Sequence, residues 1–299
     1  MNVQTGVSAS SVLRGANHVV FVEGSDDDAF DPTVIRELLR SNGLKSVEVR
    51  AIGPCDNVFQ AAKAMVWKHP TYYFLADRDG LDSAYVETGW ANFPKPDTYN
   101  LLHWRKRELE NYFIDPHYLE KSEWLVKSPE VLRERILQEA TRRLFLEASN
   151  LVLLKIRSGV LIPPTTWFKQ VEKFTCRNDA LNELQNAPGL LSRGSEIAAL
   201  LASQNREQLF DEILNDLTGG KAQLEYGAGT WLERLSGKEI FRSISGALFQ
   251  VQDAGGAIIQ GIEQNYEVAK GLLKLPLNNQ PTDFQELVQL LISKIQGAP

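Results

Sequence analysis

Residues His18–Gly24 read HVVFVEG, a run of β-branched and aromatic residues that ends in an acid and a glycine. Such a run predicts a buried strand followed by a turn. Three similar runs follow, at Val47–Ile52 (VEVRAI), Thr71–Ala76 (TYYFLA) and Tyr99–Trp104 (YNLLHW). Helical patterns separate the first three. Strands that alternate with helices indicate an α/β fold, with a parallel sheet flanked by helices.

The first predicted helix begins at Asp31-Pro32, where Asp31 is the N-cap and Pro32 the first helical residue. It ends near Gly43, and a second amphipathic helix covers Asn57–His69. The segment between the third and fourth strands predicts a loop, because it contains Gly80, Gly89 and Pro94.

The second half of the chain predicts mainly helices. A long helix begins at Ser128-Pro129 and continues to about Ser158. Further amphipathic patterns cover Ile197–Leu201, Leu209–Leu217 and Phe284–Ile295. We therefore expect an α/β catalytic domain in residues 1–120. Residues 121–299 form a mainly α-helical domain, with partner docking, dimerisation or substrate clamping as its candidate roles.

Composition narrows the class of protein. The chain has 299 residues, of which 43% are hydrophobic and 23% charged, as in ordinary globular proteins. No apolar run approaches the ~20 residues of a membrane span, and no secretory signal is expected. Two cysteines suit a cytoplasmic location. With a net charge of −6, nucleic-acid binding requires local basic patches or bound cations.

Three acidic segments follow predicted strands. They are Glu23–Asp28 after the first strand, Asp77–Gly80 after the third and Glu108–Glu110 shortly after the fourth. The carboxyl ends of parallel strands share one edge, where α/β proteins bind ligands. Clustered carboxylates favour Mg²⁺, with Mn²⁺ as an alternative, and the four scattered histidines argue against zinc. A lone Asp-x-Asp is usually a solvated turn. Glu-Gly-x-x-Asp after the first strand together with Asp-x-Asp-Gly after the third is a more specific sign of a metal site.

The combination resembles the Toprim domain of topoisomerases, bacterial primases and OLD-family nucleases. That family has a glutamate after its first strand and Asp-x-Asp after its third, which match Glu23, Asp77 and Asp79. The OLD-like branch also resembles the chain in Glu-Gly-x-x-Asp, ending here at Asp27. The segment Arg107–Phe113 (RELENYF) is similar to one in AriB-like effectors, the stand-alone Toprim nucleases of the PARIS anti-phage defence system.

The resemblance implies a toxic nuclease of the cytoplasm. Effectors of this type are held inactive by an ABC-type ATPase sensor (AriA-like), then form homodimers and cleave host tRNA. The chain has no Gly-x-x-x-x-Gly-Lys-[Ser/Thr] motif, since Gly237-Lys238 is followed by Glu239, so an ATPase must be a separate partner.

The hypothesis is therefore Mg²⁺-dependent hydrolysis of a phosphodiester. The predicted catalytic residues are Glu23, Asp77 and Asp79. The predicted metal ligands are Glu23, Asp27, Asp77, Asp79 and Glu110. The predicted nucleic-acid contacts are Arg105, Lys106, Arg107 and Lys238.

Two alternatives remain open from the residues. One is a DNA nuclease of the OLD type, because metal–carboxylate chemistry does not by itself distinguish the two sugars. The other is a non-catalytic module in which Mg²⁺ orders a partner interface. A phosphotransfer domain fits poorly, since it requires an aspartate nucleophile after the first strand, where Glu23 stands.

Overall fold

Four parallel strands form the central sheet of the protein. They are β1 (Val19–Val22), β2 (Glu48–Ala51), β3 (Tyr72–Ala76) and β4 (Leu101–His103), in the spatial order β2-β1-β3-β4. The predicted strands are confirmed, and β4 is shorter than expected. It begins at Leu101 because Tyr99 and Asn100 have φ values of +62° and +46°, which interrupt an extended backbone.

The structure is a computed structural model that describes residues 18–65, 69–160, 173, 177–186 and 188–296. Cys176 and residues 66–68 of the second predicted helix lie outside these ranges. Cys55 is a free thiol.

Three helices connect the strands: α1 (Phe30–Ser41), α2 (Cys55–Met65) and α3 (Ser83–Asn92). The loop predicted between the third and fourth strands was wrong, because α3 occupies most of it. The Asp82 carboxylate caps the helix by accepting a hydrogen bond from the Tyr85 N–H at 2.8 Å. Val86 and Trp90, four residues apart, are both buried. Gly89 is tolerated within this helix.

The rest of the chain is mainly helical, as predicted. In order it contains a 3₁₀ segment (Leu109–Ile114), α4 (Pro116–Leu119), α5 (Pro129–Val160), α6 (Arg177–Gln185), α7 (Pro188–Leu201), α8 (Ser203–Thr218), α9 (Trp231–Arg234), α10 (Gly237–Leu248), a hairpin of β5 (Val251–Gln252) and β6 (Ile258–Ile259), α11 (Ile262–Leu273) and α12 (Thr282–Gln296).

The C-terminal segment belongs to the same compact unit as the sheet. Contacts divide the chain into one unit of Met1–Arg142 with Thr230–Pro299 and a second of Arg143–Gly229. This partition differs from the domain boundary expected at residue 120. That boundary stays a prediction. Aromatic rings join the two parts of the first unit, namely Trp104, Tyr112, Phe113, Phe241 and Phe284.

The second unit is a helical layer with its own buried side chains. Leu151 on α5 and Leu217 on α8 are 2% and 0% exposed. Arg193 on α7 forms an ion pair with Glu196 and donates a hydrogen bond to the carbonyl of Gly159. No helix within the described residues of either unit has the length and apolarity that crossing a membrane requires.

Candidate functional site

The adjacent strands β1 and β3 end in two carboxylates that lie close together. Glu23 follows β1 and Asp77 follows β3, and Glu23 Oε1 accepts a hydrogen bond from the Asp77 N–H at 2.8 Å. Asp79 has a positive φ of 46° and an exposed side chain. Burial, followed by the negative charge of Asp79, raises the pKa of Glu23. The three predicted catalytic residues therefore lie at one edge of the sheet.

A cavity of about 670 Å³ opens at this edge. Its acidic lining contains more residues than the sequence predicted. They come from the loop after β1, the start of α1, the end of β3 and the segment after β4: Glu23, Asp26, Asp28, Asp31, Asp77, Glu108 and Glu110. The opposite wall comes from α10 and α11: Lys238, Phe241, Arg242, Ile262, Asn265 and Tyr266.

The 3₁₀ segment after β4 connects the two walls. Its Leu109 N–H donates to Asp77 Oδ1 at 3.2 Å. Glu108 precedes it as the N-cap, and Glu108 Oε2 accepts hydrogen bonds from Ser236 Oγ at 3.1 Å and from the Lys238 N–H at 3.0 Å. One carboxylate thus links the acidic edge of the sheet to the first turn of α10, where negative charge is favourable.

Asn111 holds this connection from inside. Its Nδ2 donates to the carbonyls of Leu232 and Leu235, and its Oδ1 accepts from the Glu108 N–H at 3.0 Å. The backbone of Gly237 passes so close that a Cβ there would lie 2.4 Å from the backbone nitrogen of Asn111. A glycine is required at this position because any side chain would force α10 away from the 3₁₀ segment.

The cavity carries an excess of negative charge. Burial and neighbouring carboxylates raise the pKa values of Asp31 and Asp77 well above their ordinary range. Burial, with the charge of Glu108, raises the pKa of Glu110 to about 7. Lys238 opposes the shifts of Asp31 and Glu110. Folding therefore favours a bound proton or a bound cation at these groups.

Four acids of the cavity were not among the predicted site residues: Asp26, Asp28, Asp31 and Glu108. Asp31 was expected as an N-cap, but the N-cap of α1 is Ala29, and Asp31 in the first turn lines the cavity instead. Glu108 was recognised as part of an acidic segment without a role. The available signal for Asp31 was its place in the first turn of the helix that directly follows the Glu23 loop.

Asp27 does not line this cavity. Its Oδ1 accepts from the Ala51 N–H at 2.8 Å and its Oδ2 pairs with Arg50 at 2.7 Å. These bonds lower the pKa of Asp27 and tie the acidic loop to β2. The predicted role of Asp27 as a metal ligand stays a prediction, and the contacts observed are structural.

Arg105 has intramolecular partners on α3 and α12. It forms ion pairs with Glu87 and Asp283, at 2.8 and 2.9 Å, and with Glu286 at 2.8 Å. Its guanidinium lies 4.0 Å from the centroid of the Trp90 ring. These contacts hold the C-terminal helix against the sheet, and the predicted phosphate contact stays untested.

Lys106 and Arg107 are similarly engaged. Lys106 Nζ donates to the Asn111 carbonyl at 3.2 Å and lies over the Tyr112 ring, and burial lowers the pKa of Lys106. Arg107 donates to the carbonyl of Arg234 at 3.3 Å. Of the four predicted nucleic-acid contacts, Lys238 is the one that lines the acidic cavity.

The donor chemistry of the cavity suits Mg²⁺ or Mn²⁺, because its acidic ligands are all carboxylate oxygens. Among the described residues, however, no three acid, imidazole or thiol side chains are close enough to form a ready set of metal ligands. Glu23, Asp77 and Glu110 fit the role by position because they line the cavity, whereas Asp79, exposed just beyond β3, does not line it. Side-chain adjustment would have to accompany metal binding.

Comparison with known proteins adds no identification: no family model, curated protein or solved structure matches this chain.

The raised pKa values predict how stability depends on pH. The folded state holds a proton on Glu110 that the unfolded state releases near pH 4, so stability falls as pH rises through about 7. Between pH 6.5 and 8 we expect a loss of about 1 kcal/mol from Glu110, a few degrees in Tm. Below pH 6.5 buried His103, whose pKa is lowered to about 4, has the opposite effect: its contribution makes stability rise with pH, because the unfolded state binds the proton more readily.

Differential scanning fluorimetry of metal-free protein measures this effect. Glu110→Gln should flatten the decline between pH 6.5 and 8, and Mg²⁺ should raise Tm more at pH 8 than at pH 6.5. Identical pH profiles for the wild type and Glu110→Gln would contradict the assigned shift.

Proposed function

We propose that this chain is a metal-dependent endonuclease of the Toprim type. The observation that carries the proposal is that Glu23 and Asp77, at the ends of adjacent parallel strands, share a cavity with Glu110 and Lys238. Oxygen ligands near a lysine ammonium group suit a polyanionic substrate whose charge would be neutralised by both metal and protein.

In this mechanism Glu23, Asp77 and Asp79 would hold the metal ion at the edge of the sheet, with Asp79 reaching it from outside the cavity lining. The bound metal would lower the pKa of a coordinated water and offset charge on the scissile phosphate. Glu110, with a pKa of about 7, holds or releases a proton at its carboxyl oxygen near neutral pH. Lys238 places positive charge opposite the carboxylates and binds a phosphate oxygen.

The biological role extends the proposal by resemblance. The chain would be the toxic effector of an anti-phage system, held inactive by an ABC-type ATPase and active as a homodimer that cleaves host tRNA. Support comes from the segments that contain Glu23, Asp77 and Arg107–Phe113.

Incubation with defined nucleic acids tests the proposal. The purified full chain is mixed separately with unfractionated bacterial tRNA and with plasmid DNA, in Mg²⁺ and in EDTA. We expect Mg²⁺-dependent cleavage of tRNA at defined positions, read by sequencing the new ends, and no cleavage in EDTA. Preferential cleavage of plasmid would establish the DNA-nuclease alternative.

A non-catalytic magnesium module is the second candidate. It is favoured by one observation: Glu108, an acid of the cavity, accepts hydrogen bonds from Ser236 Oγ and the Lys238 N–H, so the acidic segment already has a structural role. This candidate predicts that Mg²⁺ raises Tm while neither tRNA nor plasmid is cut at any protein concentration.

A further inference from the structure

Two neighbouring amides on α11 have opposite environments. Gln264 is 3% exposed, and its Nε2 donates to the Phe249 carbonyl at 2.7 Å and to the Ser245 carbonyl at 3.4 Å. Asn265 is 8% exposed, and its Oδ1 is inaccessible to solvent yet has no hydrogen-bond partner among the described residues. Asn265 also lines the acidic cavity, which Gln264 does not.

An unpaired carbonyl oxygen in this position weakens the folded chain, since the side chain has left water without gaining a partner. Native proteins rarely keep such groups without another reason. The neighbouring buried amide, Gln264, does have backbone carbonyls as partners. Because another part of the Asn265 side chain lines the cavity, rotation of the amide about χ2 would bring Oδ1 to a partner bound there.

The chemistry of Oδ1 restricts that partner to a hydrogen-bond donor. A phosphate diester offers only acceptor oxygens, so it cannot satisfy this atom. A sugar hydroxyl and the edge of a nucleobase both provide donors. Tyr266, the next residue, lines the same cavity and presents a partly buried ring beside Phe30, with centroids 5.5 Å apart. An aromatic ring next to an amide suits a nucleoside better than a bare anion.

We propose that Asn265 binds the nucleoside part of the substrate, through a sugar hydroxyl or a base edge, while the carboxylates across the cavity act on the adjoining phosphate. The inference rests on the proposed nuclease function and adds a substrate-reading wall, formed by Asn265 and Tyr266, to its site.

The test compares Asn265→Ala with Gln264→Ala in the full chain. In the absence of nucleic acid, Asn265→Ala should keep or raise Tm, whereas Gln264→Ala should lower it by removing the side-chain donor to the Phe249 carbonyl. Binding of a fluorescein-labelled 20-nucleotide RNA is then measured by anisotropy in Ca²⁺. Asn265→Ala should weaken it by about 10- to 100-fold.

The all-deoxy form of the same oligonucleotide identifies the group that is bound. If Asn265 reads the 2′-hydroxyl, the wild type binds DNA as weakly as Asn265→Ala binds RNA. If Asn265 contacts a base edge, the wild type binds the RNA and the DNA oligonucleotide with equal affinity, and Asn265→Ala binds both more weakly. Either pattern supports the inference.

Two results would overturn it. One is unchanged affinity of Asn265→Ala for both strands. The other is a fall in Tm as large as that of Gln264→Ala, which marks a structural role. Wild-type cleavage in Mg²⁺, measured in parallel, tells a failure of the Asn265 inference apart from a failure of the proposed nuclease function. Cleavage with unchanged Asn265→Ala affinity rejects the inference alone, whereas no cleavage of RNA or DNA rejects the nuclease and the inference with it.

Discussion

Glu23→Gln is expected to reduce Mg²⁺-dependent cleavage by about 10²- to 10⁴-fold, the range for losing a group that acts directly on the reaction. The amide keeps an oxygen that can accept the Asp77 N–H, now at 2.8 Å from Glu23 Oε1, so the backbone arrangement is retained. The substitution removes the Glu23 carboxyl group, whose pKa is raised by burial and by the charge of Asp79. The metal-free variant should therefore melt at or above the wild-type temperature.

A matched variant separates this effect from general loss of charge. Glu48→Gln removes a carboxylate from β2 in the same sheet, where Glu48 pairs with Arg50 and its side chain is 48% exposed. Its cleavage rate should equal that of the wild type. A Glu23→Gln protein that is folded and cleaves at the wild-type rate would remove Glu23 from the mechanism.

Phe284→Ala is expected to destabilise the protein by about 3–5 kcal/mol, the usual cost of emptying a large buried site. Phe284 is 0% exposed, and its ring centroid lies 5.8 Å from Trp104, 4.8 Å from Tyr112 and 6.0 Å from Phe113. Because these rings join α12 to the segment after β4, the loss should lower Tm by about 10 °C.

Gln289→Ala on the same helix provides the comparison. Gln289 is exposed, so its removal should change the free energy of unfolding by less than about 0.5 kcal/mol. Chemical denaturation followed by tryptophan fluorescence measures both variants. A Phe284→Ala change below 1 kcal/mol would mean that the C-terminal helix contributes little to the sheet unit.

The sheet could be predicted because its strands are short apolar runs that end in turn residues. The pairing of β1 with β3 followed from the handedness of βαβ connections, and it brought Glu23 next to Asp77. The helix α3 was missed because Gly89 and Pro94 are typical of loops. Its two buried residues, Val86 and Trp90, are too few to show a period.

The site was less predictable than the sheet because about a third of the residues that line its cavity come from far along the chain. Lys238 was proposed as a basic residue beside Gly237 without a recognised motif, and nothing near Asn265 in sequence indicates a cavity. The basic run after β4 also shows the limit of a charge pattern. Arg105 is bound by Asp283 and Glu286, about 180 residues away, and such partners are invisible without the tertiary structure.

The link between Glu108 and the first turn of α10 has a consequence for biosynthesis. The ribosome completes the sheet and its acids long before it adds Ser236 and Lys238, so the emerging polypeptide exposes carboxylates with no opposing wall. A chain interrupted before residue 230 would lack every residue of that wall. On the proposed nuclease function, we therefore expect the product to be inactive until its last quarter is in place.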